Sequence, residues 1–137
     1  VMIRTTDHER LVELAKYATV PVINGLTDDT HPCQIMADVM TIEEHRGSAK
    51  GKTLSWVGDG NNVLHSLIEG SARFGYQMNI AVPAGSEPSK QYLDWARENG
   101  GVVSMSHDPV ALHALPSGPS RRRSDRRRHR WATISGL

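Results

Sequence analysis

The chain has 137 residues, 38% hydrophobic and 23% charged, proportions of an ordinary globular protein long enough to bury a real core. No apolar run approaches the roughly 18 residues of a membrane-spanning helix, and the opening VMIRTTDHER lacks a basic-then-apolar secretion pattern, so a cytoplasmic protein with no membrane partner is expected. The net charge of +1 hides an asymmetry: residues 1–112 hold 9 Lys+Arg against 14 Asp+Glu, while residues 113–137 hold 7 Arg against Asp125 alone.

Residues 7–19 place Leu11, Leu14, Ala15 and Ala18 on one helical face, with Asp7 as a candidate N-cap. The run VPVING, residues 20–25, predicts a short buried strand ending in a loop, LTDDTHPCQ. From Ile35 to His45, apolar residues at Ile35, Met36, Val39, Met40 and Ile42 predict a helix that Gly47 and Ser48 stop. KTLSWVG, residues 52–58, is a near-continuous apolar strand of the kind parallel sheets bury. A helix follows over 61–75, with Val63, Leu64, Leu67, Ile68 and Ala72 facing inward, then a strand at 76–83. SEPSKQYLDWARENGG, residues 86–101, reads as a helix opening on a capping box, and VVSMSHD, residues 102–108, as a further strand. The order β-α-β-α-β predicts an α/β fold with an open, parallel, doubly wound sheet, whose ligands lie beyond the carboxyl ends of the strands. Residues 113–137, rich in Arg, Ser and Pro without a period, are expected to be a disordered basic tail.

Three strand ends carry candidate chemistry. Gly58-Asp59-Gly60 opens like a dinucleotide fingerprint, but the third glycine would fall at Val63 and an acid in the turn disfavours pyrophosphate. With Asn61 and Asn62 beside it, the loop suits a small zwitterion, and the competing reading is that Asn61 only caps the helix. His31-Pro32-Cys33-Gln34 sets an imidazole and a primary amide around a proline, where two donors can polarise a carbonyl. A metal at His31 and Cys33 is disfavoured because no second His/Cys cluster exists, and Cys33 has no neighbouring base to make it a nucleophile. Arg4 follows a short apolar start, so its guanidinium also falls at a strand end, suited to phosphate or carbonyl oxygen. His8, His45, His65 and His107 are expected at the surface or behind the site, and Trp56 and Trp95 in the core.

Taken together, MIRT, then PVINGLTDDTHPCQIMADVMTIEEH, then GKTLSWVGDGNNVLHSLIEGSARFG closely resemble the ornithine carbamoyltransferases over residues 1 to about 112. His-Pro-x-Gln also occurs in aspartate carbamoyltransferases, whereas the Trp-Val-Gly-Asp-Gly-Asn-Asn-Val run followed by His-Ser is similar to the ornithine enzyme. The resemblance implies transfer of a carbamoyl group from carbamoyl phosphate to L-ornithine, with neither metal nor organic cofactor, in a homotrimer. Arg4, His31 and Gln34 would contact carbamoyl phosphate, Asn62 would hold the ornithine backbone, and Gly58, Asp59, Gly60 and Asn61 would support it. Residues 1–34 would then end the carbamoyl-phosphate domain, 35–50 would be a connecting helix and loop, and 51–112 would begin the ornithine domain.

The departures from the family are equally informative. Its Ser-x-Arg-Thr-Arg phosphate loop, Asp-x-x-x-Ser-Met-Gly segment and His-Cys-Leu-Pro loop have no counterpart here, HALP at His113 to Pro116 being a chance echo. The expectation is therefore an incomplete and inactive form, doubtful as a trimer and prone to aggregate. A shifted reading frame is one account of its end. Two other functions compete: an amino-acid-binding domain without catalysis, and salt-dependent nucleic-acid binding by RRRSDRRRHR. The second ranks far lower, since that run belongs to no nucleic-acid module and hangs from an acidic body.

Overall fold

A computed structural model describes residues 1–114 and 132–135. The elements run β1 (Met2–Arg4), α1 (His8–Tyr17), β2 (Ile23–Leu26), α2 (Pro32–Arg46), β3 (Thr53–Val57), α3 (Asn62–Phe74), β4 (Gln77–Ala81), α4 (Lys90–Glu98), β5 (Val102–Ser106), a 3-10 helix (Pro109–Ala114) and β6 (Ala132–Ser135). They form two parallel sheets, a two-stranded β1-β2 and a four-stranded β5-β4-β3-β6. The open, parallel α/β architecture is thus the expected one, divided between two sheets.

The local reasons are visible in the sequence. Asp7 caps α1 by accepting the Glu9 N–H at 3.0 Å. The helix expected from Ile35 begins three residues earlier, because Pro32 sits in its first turn, where a fixed φ and a missing N–H are harmless. Cys33 and Gln34 therefore lie on that first turn and not in a loop. Asn61 caps α3, its side-chain oxygen accepting from Val63 and Leu64 N–H at 3.1 Å each, and Gly75 ends it in the left-handed region at φ 71°. The capping box expected before α4 does not form: α4 starts at Lys90, Ser89 makes no side-chain cap bond, and Glu87 turns back to accept the Gly85 N–H.

In-register pairing of β3, β4 and β5 puts Leu54, Trp56, Met78 and Ile80 on one face, where α3 and α4 supply Leu64, Leu67, Ile68, Tyr92 and Ala96 to a single buried cluster. This half holds most of the apolar core, while α1 contributes only Leu11 as a buried residue. On the opposite face the buried Asn79 donates to the Leu112 carbonyl of the 3-10 helix at 3.4 Å.

The expected disordered tail, residues 113–137, needs correction at two places, the first being residues 113–114, which end the 3-10 helix Pro109–Ala114. Residues 132–135 form β6, parallel to β3 with Leu54 opposite Ala132 and Val57 opposite Ser135, because the edge of β3 is free to accept a further strand. Residues 115–131 and 136–137 of that expected tail lie outside the described residues.

Candidate substrate site at the strand ends

The carboxyl ends of β1, β2 and β3 converge through the loop that joins β2 to α2. Its backbone is tied to the first sheet, with Thr5 N–H donating to Leu26 carbonyl and Asp28 N–H to Thr6 carbonyl, both at 3.0 Å. It is also folded on itself: Thr27 N–H donates to the Thr30 carbonyl at 2.9 Å, and Thr30 N–H to Thr27 Oγ1 at 3.1 Å. Both threonines are buried and their hydroxyls satisfied, Thr27 Oγ1 donating to the Thr30 carbonyl at 3.3 Å and Thr30 Oγ1 accepting from Asn24 Nδ2 of β2 at 2.9 Å. His8 adds a bond from Nδ1 to Thr27 Oγ1 at 3.0 Å.

His31 ends the loop as the residue before α2, and its side chain makes no capping bond. Its Nδ1 is buried without a partner among the described residues, as is Asn24 Oδ1. Burial lowers the His31 pKa from its ordinary value, the Arg4 charge lowers it further, and Asp38 opposes both. The imidazole is thereby favoured in its neutral form, and the exposed Arg4, at the end of β1, lies close enough to bias it. Gln34 is exposed, and its Nε2 donates to Asp38 Oδ1 at 3.0 Å, one helical turn on. Cys33 points elsewhere, with Sγ donating to the Asn24 carbonyl at 3.2 Å.

The glycine turn after β3 is shaped by close approach. A Cβ on Gly60 would meet Pro88 N at 2.2 Å and the Glu87 carbonyl carbon at 2.4 Å, and Gly60 N–H donates to the Ser86 carbonyl at 2.7 Å. Gly58, at φ 154°, brings its N–H to the Ala81 carbonyl at 3.2 Å. The Asp59 carboxylate is exposed, and its carbonyl accepts from Trp56 Nε1 at 3.2 Å. So the turn bonds to the strand-end loop of β4 through backbone and leaves one carboxylate outward.

Of the two asparagines, Asn61 is used as a cap, and Asn62 reaches across to the first sheet: its Nδ2 donates to the Thr27 carbonyl at 2.7 Å. Three further contacts follow on the same side of α3. His31 N–H donates to Ser66 Oγ at 2.8 Å, His65 Nδ1 lies 2.9 Å from the Asp29 carbonyl, and Ser89 N–H donates to His65 Nε2 at 3.0 Å. Tyr92 stacks on the His65 ring at 4.3 Å between centroids, and its hydroxyl donates to Asp29 Oδ2 at 2.6 Å. His65 is thus buried in the join and not at the surface. The signal for it was in the sequence, since Asn62, His65 and Ser66 fall at i, i+3 and i+4, a polar stripe on an otherwise buried helix.

Among the described residues, no group of three His, Cys, Asp or Glu could hold a metal ion, and no helix is long and apolar enough to cross a membrane.

Residues 1–44 match the family description "Aspartate/ornithine carbamoyltransferase, carbamoyl-P binding domain", and residues 50–116 match "Aspartate/ornithine carbamoyltransferase, Asp/Orn binding domain". The chain belongs to the aspartate/ornithine carbamoyltransferase family. Within it, the chain is 74% identical over 108 residues to the ornithine carbamoyltransferase of Rhizobium meliloti, a match covering 79% of this chain and 36% of that protein. The ornithine carbamoyltransferase of Agrobacterium fabrum is 72% identical over 108 residues, covering 79% and 35%. The solved ornithine carbamoyltransferase from Pyrococcus furiosus superposes with a TM-score of 0.76 at 49% identity, covering 81% of this chain and 37% of that one. The Gloeobacter violaceus enzyme gives 0.76 at 43% identity, covering 81% and 40%. The chain thus spans little more than a third of the length of these carbamoyltransferases.

Proposed function

We propose that this chain carries the central part of an ornithine carbamoyltransferase site, for the reaction of carbamoyl phosphate with L-ornithine to give L-citrulline and phosphate. The observation that carries the reading is the His31 ring, biased toward its neutral form at the carboxyl ends of parallel strands, with a buried ring nitrogen unpartnered and the Arg4 charge beside it. Such a group donates a hydrogen bond without being an acid strong enough to protonate the attacking amine.

In this reading Arg4 neutralises phosphate or carbonyl oxygen, and His31 and Gln34 address the carbonyl of carbamoyl phosphate. The bond of Gln34 to Asp38 leaves its amide oxygen and second N–H for that contact. Asn62 holds the amino-acid end of ornithine, while Asn61 caps α3 and Gly58, Asp59 and Gly60 shape the turn. The neutral δ-amine attacks the carbamoyl carbon, a nitrogen–carbon bond forms, and the tetrahedral oxyanion is stabilised by these fixed donors. It then collapses with loss of phosphate, and the nitrogen sheds a proton. Orientation and electrostatics do the chemistry, and no cofactor takes part.

The setting proposed is the cytoplasm, with no nucleic-acid partner. Because the matched enzymes are nearly three times as long as the matched segment, the 137-residue chain alone is proposed to be inactive and not to assemble as the family's trimer. A citrulline assay with carbamoyl phosphate and ornithine, run beside aspartate as the other acceptor, tests this. No product from either acceptor is expected of the chain by itself, and carbamoylated aspartate would overturn the assignment to ornithine.

A further inference from the structure

Three side chains at the start of α3 bond to alternate residues of the loop that ends in His31. Asn62 Nδ2 donates to the Thr27 carbonyl, His65 Nδ1 meets the Asp29 carbonyl, and Ser66 Oγ accepts the His31 N–H. The i, i+3 and i+4 positions share one helical face, so the three bonds hold the turned loop, closed on itself between Thr27 and Thr30, against that face. The middle contact differs from the other two because it continues to a third element.

His65 is 8% exposed and both of its ring nitrogens are satisfied. A backbone N–H can only donate, so the bond from Ser89 makes Nε2 the acceptor and leaves Nδ1 to carry the proton that goes to Asp29. The Tyr92 ring lies flat against this imidazole, with 17° between the planes, and its hydroxyl takes the Asp29 carboxylate. Asp29 is therefore gripped at its carbonyl by one ring and at its carboxylate by the ring stacked upon it, two residues before His31. A side chain placed only to fill core space would need neither bond.

We propose that His65 is a positioning residue for carbamoyl transfer: through Asp29 it cross-links the His31 loop to the start of α4 and so sets where the His31 ring stands. The proposal rests on the assignment of His31 to the substrate carbonyl.

The test is made on the 137-residue chain by nitrogen-15 NMR of its imidazoles. His65 is expected as the Nδ1–H tautomer, with His31 titrating below the ordinary value of about 6.5, in the presence of Arg4 on β1 and Asp38 on α2 as its charged neighbours. His65→Gln keeps an acceptor for Ser89 and loses the donor to Asp29. It is expected to move the His31 titration back toward the ordinary value and to speed exchange of the His31 amide by about tenfold. His65→Asn places an amide donor where Nδ1 stood and is expected to restore most of both. Tyr92→Phe keeps the stacked ring and removes only the hydroxyl on Asp29. It is expected to give a smaller shift in the same direction, and it carries the test if the Gln variant does not fold. An Nε2–H tautomer in the parent, an unchanged His31 titration in both His65→Gln and Tyr92→Phe, or equal shifts in His65→Gln and His65→Asn would overturn the proposal. No substrate enters these readings, so failure to form citrulline would count against the proposed reaction and not against the cross-link.

Discussion

The backbone N–H of His31 donates to Ser66 Oγ at 2.8 Å, a bond between residues 35 apart in the chain. It joins the residue that precedes α2 to the buried face of α3, so the two halves of the chain are registered at the candidate site itself. Ser66 is 3% exposed, and removing its hydroxyl leaves a donor in the join without its partner. Ser66→Ala is predicted to lower stability by about 1–3 kcal/mol, read as a fall in the thermal midpoint. An unchanged midpoint would show that water replaces the bond.

The turn after β3 tolerates no side chain at Gly60, because the atoms a Cβ would meet at 2.2 Å and 2.4 Å are backbone of the Glu87–Pro88 segment. Gly60→Ala is predicted to cost about 1–3 kcal/mol or more through forced backbone movement. Gly47 is a control of the opposite kind, with positive φ and nothing within 4 Å of a Cβ. Gly47→Ala is predicted to cost less, about 1–3 kcal/mol from backbone strain alone, since φ 70° with ψ −178° is a conformation that glycine adopts and other residues rarely do. Denaturant unfolding of both variants checks the order.

Asn61 and Asn62 are adjacent, yet only one of them faces the first sheet. Asn61→Ala removes the bonds to Val63 and Leu64 N–H and is predicted to cost about 0.5–2 kcal/mol of stability. In a catalytically competent background it is predicted to leave the Michaelis constant for ornithine nearly unchanged, whereas Asn62→Ala raises it. Equal effects on that constant would put Asn61 back in the amino-acid site.

Much of this could be read from residue order, and some could not. Helical periodicity located α1 and α3 because each has one apolar face and a short polar cap, and the β-branched and aromatic run of β3 announced a buried strand. The start of α2 was missed because proline reads equally as a turn or as a first helical residue, and only the chain geometry around His31 decides. The same ambiguity moved the start of α4, where Pro88 falls just before the helix and Ser89 spends its N–H on His65. At the site, the nearness of Arg4 to His31 agrees with their places at strand ends, whereas the glycine turn bonds instead to the loop after β4. The stripe of Asn62, His65 and Ser66 marked a packed face of α3, but the bonds that join Asp29 to His65 and to Tyr92 span 36 and 63 residues, so no local pattern names those partners.

Glu69 lies one turn beyond His65 on α3, and its carboxyl pKa is raised, first by burial and then by the Asp29 charge, against the relief from Arg73 and His8. A carboxyl raised in the fold binds its proton more tightly there than in the unfolded chain. Its contribution is therefore present at low pH and is lost as pH rises from the ordinary carboxyl value through the raised one. Glu69→Gln is predicted to stabilise the chain at pH 7 and to flatten the decline in stability above about pH 4.3. Thermal midpoints measured from pH 4 to 7 check it; a lower midpoint for the variant at pH 7 would show that Glu69 is stabilised by an ion pair.

The measurement that bears most directly on the account is citrulline formation by a graft, in which the 108-residue segment of this chain replaces its counterpart in the Rhizobium meliloti enzyme. The account predicts turnover with ornithine and none with aspartate, and a loss of about a hundredfold or more in kcat when His31→Ala is made in the graft. A folded graft without turnover, or one whose turnover survives His31→Ala, would contradict it.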